Sequence, residues 1–76
     1  MIALRTLPGQ NLSGSADTYF IVERAGTWTL RSHYFAPRAF RSIERLAHTL
    51  GGIVPWERWD KDAQDQLQWL GVRGAF

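Results

Sequence analysis

Residues 18–35 constrain the fold most, because they carry the pattern of a β-hairpin. Residues 18–24 are aromatic and β-branched, which favours a strand, and Ala25-Gly26 predicts a tight turn. A return strand is predicted over residues 27–35. An isolated hairpin is not stable in water, so this one needs a third strand or a helix to pack against.

Two flanking segments extend this prediction. Residues 2–7 predict a short N-terminal strand with Ile2, Leu4 and Thr6 on one face, whereas residues 8–17 are rich in Pro, Gly, Ser and Asn and predict a loop. The return strand should present two faces. One face would carry Trp28, Leu30, Ser32 and Tyr34, and the other Thr27, Thr29, Arg31, His33 and Phe35.

A first helix is predicted to begin at Pro37, because proline is favoured at the first helical position. It should run to about Leu50, where Gly51-Gly52 indicates a stop. At helical spacing the apolar positions fall in one arc: Phe40, Ile43, Leu46, Ala47 and Leu50. A basic stripe falls opposite them: Arg38, Arg41, Arg45 and His48.

A second helical segment follows Pro55 and is acidic. It forms either one helix over residues 55–70 or, since Asp60 can cap a helix, a short turn at 55–59 and a helix from 60. Gly71 would close it, and the tail ending at Phe76 either packs back or meets a partner. The apolar stripe is Trp56, Trp59, Ala63, Leu67 and Leu70, and the carboxylates are Glu57, Asp60, Asp62 and Asp65.

These elements predict one α+β domain over residues 1–76. A short antiparallel sheet, made of the hairpin and the N-terminal strand, would pack against a C-terminal two-helix hairpin. With 76 residues and no cysteine, the chain has neither disulfides nor thiolate metal ligands, so its core must come from large side chains, four Trp among them. It shows no targeting or membrane-spanning segment, and we expect a cytoplasmic protein.

No arrangement of residues predicts catalysis, a metal or a cofactor. Ser32 and His33 are neighbours in a strand, so their side chains would point to opposite faces. Asp62 and Asp65 share a helix face but have no further ligands at metal-binding spacing, and they are interpreted as solvated. We therefore expect a protein that is not an enzyme.

The basic stripe is either a solvated face or a binding surface for protein or nucleic acid. The net charge of +2 does not decide between them. The acidic second helix excludes the usual helix-turn-helix mode, because that helix would be repelled by phosphates. An exposed Trp beside arginines is typical of protein interfaces. The candidate partner-binding residues are Arg38, Arg41, Arg45, His48, Arg31, Trp28 and Trp69.

Two resemblances bear on function. The hairpin Tyr19-Phe20-Ile21-Val22-Glu23-Arg24 and Gly26-Thr27-Trp28, followed by Phe35 and a helix from Pro37 to Leu50, resembles the sheet-and-helix arm-binding domains of phage integrases, which implies DNA contact through the sheet. A small α+β chain with separate acidic and basic faces and no active site is also similar to anti-CRISPR proteins of phages and mobile elements. That resemblance implies inhibition by occluding a site on a host complex.

We therefore predict a small binding protein that occupies a macromolecular surface, as an inhibitor of a host complex encoded by a phage or mobile element would. The partner would be a protein or a ribonucleoprotein. One alternative is a nucleic-acid-binding module that uses the basic first helix or the sheet. Another is a structural or oligomerising subunit with Trp28, Trp69 or Phe76 in a self-interface.

Overall fold

A computed structural model describes residues 1–9 and 14–76 and shows the α+β architecture. Four antiparallel strands form a meander in the order β1-β2-β3-β4, and two α-helices pack on one of its faces. The elements are β1 (Ile2–Arg5), β2 (Thr18–Arg24), β3 (Thr27–Ser32), β4 (Phe35–Phe40), α1 (Ile43–Ile53), a 3₁₀-helix (Trp56–Arg58), α2 (Lys61–Trp69) and a second 3₁₀-helix (Arg73–Ala75).

The predicted hairpin is confirmed for β2 and the first part of the return strand. Ala25 and Gly26 both have positive φ, 51° and 82°, as a two-residue turn between twisted strands requires. Glu23 supports the turn, because its Oε2 accepts a hydrogen bond of 2.8 Å from the Gly26 N–H. The N-terminal strand pairs with β2 along its whole length. Of the predicted loop 8–17, residues 10–13 lie outside the described residues.

The return strand ends earlier than predicted, and this changes the rest of the sheet. It stops at Ser32; His33 and Tyr34 form a turn, and Phe35 pairs back onto Ser32. The Ser32 Oγ accepts a 3.0 Å hydrogen bond from the Tyr34 N–H, which stabilises the turn locally. The predicted face assignment is therefore wrong beyond Ser32: Tyr34 is an exposed turn residue, and Phe35 lies on the helix-facing side.

The prediction that a helix begins at Pro37 is also wrong, because residues 35–40 form β4. Between the pairs Ser32–Phe35 and Leu30–Arg38 the register shifts, so that two β4 residues oppose one residue of β3. Proline is tolerated at such a bulge on an edge strand, since no ladder hydrogen bond is lost there. Arg38 therefore belongs to the sheet, not to the helix.

Helix α1 begins six residues later than predicted, at Ile43, after a Ser42 N-cap. The Ser42 Oγ accepts a hydrogen bond of 3.2 Å from the Arg45 N–H. The helix also runs past the predicted stop, through Gly51 and Gly52 to Ile53. Gly51 has a packing role, because a Cβ there would lie 3.0 Å from the Phe76 Cα. The tail therefore packs back on the helix, the first of the two predicted alternatives.

The acidic segment follows the second predicted alternative, a short turn and then a helix. The Asp60 carboxylate accepts a 2.8 Å hydrogen bond from the Ala63 N–H and so caps α2. The same segment covers the outer edge of β1: Arg5 O accepts from the Asp60 N–H at 3.0 Å, and the Leu7 N–H donates to Arg58 O at 2.8 Å. One sheet edge is thereby protected from pairing with another chain.

The core lies between the sheet and the helices and is built largely from the predicted apolar positions. The Trp59 ring, 1% exposed, meets the Tyr19 ring edge-on at 5.5 Å between centroids. This edge-on geometry is favourable for aromatic pairs. The other buried apolar residues are Leu4, Ile21, Leu30, Leu46, Ala47, Leu50, Val54, Ala63, Leu67 and Val72.

Candidate functional site

Three of the predicted basic residues surround Phe40 where β4 meets α1. Phe40 is half-buried, and the Arg38 guanidinium carbon lies 5.8 Å from the centre of its ring. Phe40 also lines a shallow depression together with Arg45 and His48 of α1. We call Arg38, Phe40, Arg45 and His48 the basic edge. The predicted residues come together there although Arg38 and Arg45 lie on different elements.

Arg41 is near the basic edge but does not line the depression. It is exposed and lies between Phe40 and the Ser42 N-cap, ahead of α1. Glu44 does line the depression and lies in the first turn of the helix, where a negative charge is favoured by the helix dipole. The basic edge is therefore flanked by one carboxylate.

The charges of the basic edge are available for contact. Within residues 1–9 and 14–76, no carboxylate forms an ion pair with Arg38, Arg41 or Arg45. In contrast, Lys61 on α2 pairs with Asp65 at 3.0 Å between Nζ and Oδ2. Asp65 is thus part of an exposed i,i+4 pair, as is common on a solvated helix surface.

Arg31 lies on the opposite side of the sheet from the basic edge. In β3 it alternates with Leu30, which is fully buried under the helices, so Arg31 points away from them. Its neighbour across β2 is Phe20. A single surface containing both Arg31 and the basic edge, as the grouping of candidate residues implied, is therefore not formed.

The two candidate tryptophans have different environments, and neither joins the basic edge as an exposed anchor. Trp28 is opposite Phe40 in the register but is half-buried and packs against the core. Trp69 is 87% exposed on α2, which packs at β1, the other edge of the sheet. Phe76, the third residue considered for a self-interface, packs edge-on against Trp56 at 5.4 Å. Only Trp69 of these three is fully available to a second copy.

The sequence analysis allowed nucleic-acid contact through the sheet but did not single out Arg5 or Phe20 on the sheet face turned away from the helices, which we call the open face. Its outward positions carry Arg5, Phe20, Arg24 and Arg31, among smaller residues such as Val22. The alternation in residues 18–24 could have revealed it. If Tyr19 and Ile21 are buried under the helices, then Phe20, Val22 and Arg24 must face the other way.

Ser32 and His33, considered as a nucleophile and base, are not paired: the Ser32 Oγ accepts from the Tyr34 N–H, and the His33 ring contacts the Tyr34 ring at 5.6 Å. In the described part of the chain, no group of three or more His, Asp or Glu side chains is placed to hold a metal ion. No helix among these residues is both long and apolar enough to cross a bilayer.

The fold and the two surfaces define a class of protein: a small α+β module with a sheet covered by helices on one face and basic residues on its open face and its β4 edge. No protein-family model, curated protein or solved structure matches the chain.

Proposed function

We propose that the chain is a small non-enzymatic binding protein that occupies a surface of a larger protein or ribonucleoprotein complex, and that the basic edge makes the contact. The observation that supports this is the convergence of Arg38, Arg45 and His48 around the half-buried ring of Phe40. Arginine forms planar, bidentate contacts with carboxylates, and arginine and aromatic residues dominate the energetics of protein interfaces.

The charge distribution across the sheet supports a directed contact. Helix α1 packs on β3 and β4, whereas α2 packs on β1, at the opposite edge. The carboxylates of residues 57–65 therefore lie toward the β1 edge, and the basic edge lies at β4. An acidic partner surface would be attracted to one edge and repelled by the other, which fixes the orientation of docking.

The proposal includes the role of an inhibitor encoded by a phage or mobile element, which acts in the cytoplasm by occluding a site on a host complex. A chain of 76 residues is of a size that suits covering a site on a larger complex. The absence of cysteine is compatible with a reducing compartment.

A charge-reversal experiment tests the proposal. The tagged protein, its Arg38→Glu/Arg45→Glu variant and a matched Arg58→Glu/Lys61→Glu control are used to capture components from an extract of the source organism. The captured component is then purified and its affinity for each protein is measured. Because each double variant changes the charge by the same amount, only the position of the change differs.

We expect the wild type and the control to bind the purified component, and the Arg38→Glu/Arg45→Glu variant to lose at least tenfold in affinity. Loss of two favourable contacts of about 1 kcal/mol each, together with repulsion, is sufficient for this. Equal affinity of both double variants would refute the basic edge as the contact surface. Unfolding curves for each variant establish that the fold is unchanged.

A further inference from the structure

We propose that the open face of the sheet binds single-stranded nucleic acid, with phosphates held by its arginines and a base stacked on Phe20. The charged side chains on the outward positions of the four strands are Arg5, Arg24 and Arg31, and no carboxylate occupies an outward position of these strands. A face of one sign beside an aromatic ring is complementary to a polyanion that carries bases.

The register places the arginines along a path. Arg5 is opposite Thr18 at one end of β2, and Arg24 is at the other end, about 20 Å away at the usual rise per residue. Arg31 and Phe20 are partners between these ends. A strand of nucleic acid laid along β2 would therefore meet positive charge at both ends and a ring with a guanidinium between them.

Two neighbouring hollows lie along this path. Phe20 and Arg31 line an open hollow of about 640 Å³, and Arg31 also borders a second hollow of about 520 Å³ that contains Val22 and Arg24. Both volumes lie in the range of small-ligand sites, so each has room for a base. Arg31 separates the two and can reach a phosphate between successive bases.

Asp17 shows which part of a nucleotide would occupy the first hollow. Its carboxylate is at the rim and accepts a 2.6 Å hydrogen bond from the Tyr34 hydroxyl. A carboxylate repels phosphate, so the hollow beside it suits the uncharged part of a nucleotide. We therefore place a base, not a phosphate, between Phe20 and Asp17.

The width of the sheet favours a single strand over a duplex. Four strands at the usual spacing span about 14 Å between the axes of β1 and β4, before side chains are counted. The major groove of DNA is about 12 Å wide and admits a helix or a two-stranded ribbon. The open face is thus too broad to enter the groove flat, whereas an unpaired strand can lie on it.

Fluorescence anisotropy with defined probes tests this proposal. The probes are labelled oligothymidylate and oligoadenylate of about 16 nucleotides, a duplex of equal length, and a poly-glutamate peptide of equal charge. Binding is measured over a salt series for the full chain and for Phe20→Leu, Arg31→Ala, and the matched controls Trp69→Leu and Arg58→Ala. Thermal unfolding of each variant verifies that it is folded.

We expect the single strands to bind more tightly than the duplex and the peptide. Phe20→Leu should weaken binding by roughly 5- to 150-fold, since stacking on an aromatic ring is worth about 1–3 kcal/mol per base. Arg31→Ala should reduce the slope of log affinity against log salt by about 0.7, the value for one phosphate on a single strand. Trp69→Leu and Arg58→Ala should bind as the wild type does.

Three results would overturn the proposal: no binding of either single strand at low salt, equal binding of the peptide, or full affinity in the folded Phe20→Leu variant. The outcome is separate from that for the basic edge, because Arg38→Glu/Arg45→Glu alters a surface on the other side of β4. If no partner is captured but the oligonucleotides bind, the open face remains supported. If a partner is captured through the basic edge but no oligonucleotide binds, only the basic edge remains supported.

Discussion

Substitutions at Ser42 test where α1 begins. In the structure Ser42 is extended, with φ −143°, and its hydroxyl caps the Arg45 N–H. In a helix that began at Pro37, Ser42 would instead be an interior residue. The two placements rank glycine and alanine in opposite order: at an N-cap, glycine costs only a few tenths of a kcal/mol and alanine about 1, whereas in a helix interior alanine is best and glycine is worse by about 1.

The expected magnitudes are large enough to measure. At about 0.05–0.15 kcal/mol per residue, a chain of 76 residues has a free energy of unfolding of about 4–11 kcal/mol. Ser42→Ala should remove about 1 kcal/mol of this, which lowers Tm by about 4–8 °C for a domain of this size. Ser42→Gly should cost less than half as much. Ser42→Asp keeps an acceptor and adds a negative charge at the positive end of the helix dipole, so it should match or exceed the wild type.

The assay is thermal and urea unfolding followed by far-ultraviolet circular dichroism. Only a shift in midpoint with an unchanged urea m-value counts as a change in stability. Asp60→Ala serves as the positive control, because Asp60 caps α2 through the Ala63 N–H and should lose a similar amount. If Ser42→Ala is more stable than Ser42→Gly, Ser42 lies inside a helix and the placement of β4 is wrong.

Two further predictions concern packing and pH. Gly52→Ala should stabilise the fold by about 0.5 kcal/mol, because a Cβ there meets no atom within 4 Å. Gly51→Ala should not stabilise it, because its Cβ would lie 3.0 Å from Phe76. The urea unfolding midpoints of the two variants test this difference. Burial, and then the nearby charge of Asp17, raise the pKa of Tyr19 above 10.0. The folded state therefore favours the protonated phenol, so this stability is complete below the unfolded pKa of about 10 and is lost as the pH rises through the raised value. In urea unfolding across that range, Tyr19→Phe should lose less stability than the wild type, and equal losses would contradict the prediction.

The parts of the fold that local chemistry determines were predictable from the sequence. Ala25-Gly26 can adopt the positive φ angles of a tight hairpin, and Asp60 has a side chain that caps a helix. The turn at His33-Tyr34 has no such signal. The Ser32 hydroxyl stabilises it locally, but serine forms such bonds in many settings, and the second contact is a hydrogen bond from Tyr34 to Asp17, a residue distant in sequence.

Pro37 explains why the sequence predicts the start of a helix where β4 forms. Proline suits two places equally well, the first turn of a helix and a bulge on an edge strand, because neither needs its missing N–H. The apolar spacing from Phe40 onward is compatible with helix, and β4 has no alternation because the bulge interrupts it. Only pairing with β3 distinguishes the two, and pairing is not a local property.

The same error explains which part of the candidate site was predicted. Arg45 and His48 share a helix face as expected, but Arg38 reaches them from a strand, through Phe40. Arg31 is separated from Arg38 by the alternation of side chains in β3: Arg38 is opposite Leu30, which faces the helices, whereas Arg31 follows Leu30 and faces the other way. Successive side chains of a strand point to opposite faces of the sheet. When helices cover one face, the arginines of the sheet therefore fall on two separate surfaces.

This division leads to the two separate proposals for this protein. Had Arg31 and Arg38 shared a surface, a single polyanionic partner would account for all the basic residues. Because the sheet separates them, each surface is characterised by its own neighbours: Glu44 and a helix flank the basic edge, whereas Phe20 and β-strand residues surround Arg31. The mixed charge at the basic edge suits the varied side chains of a protein, and the carboxylate-free strand positions of the open face suit a regular polyanion.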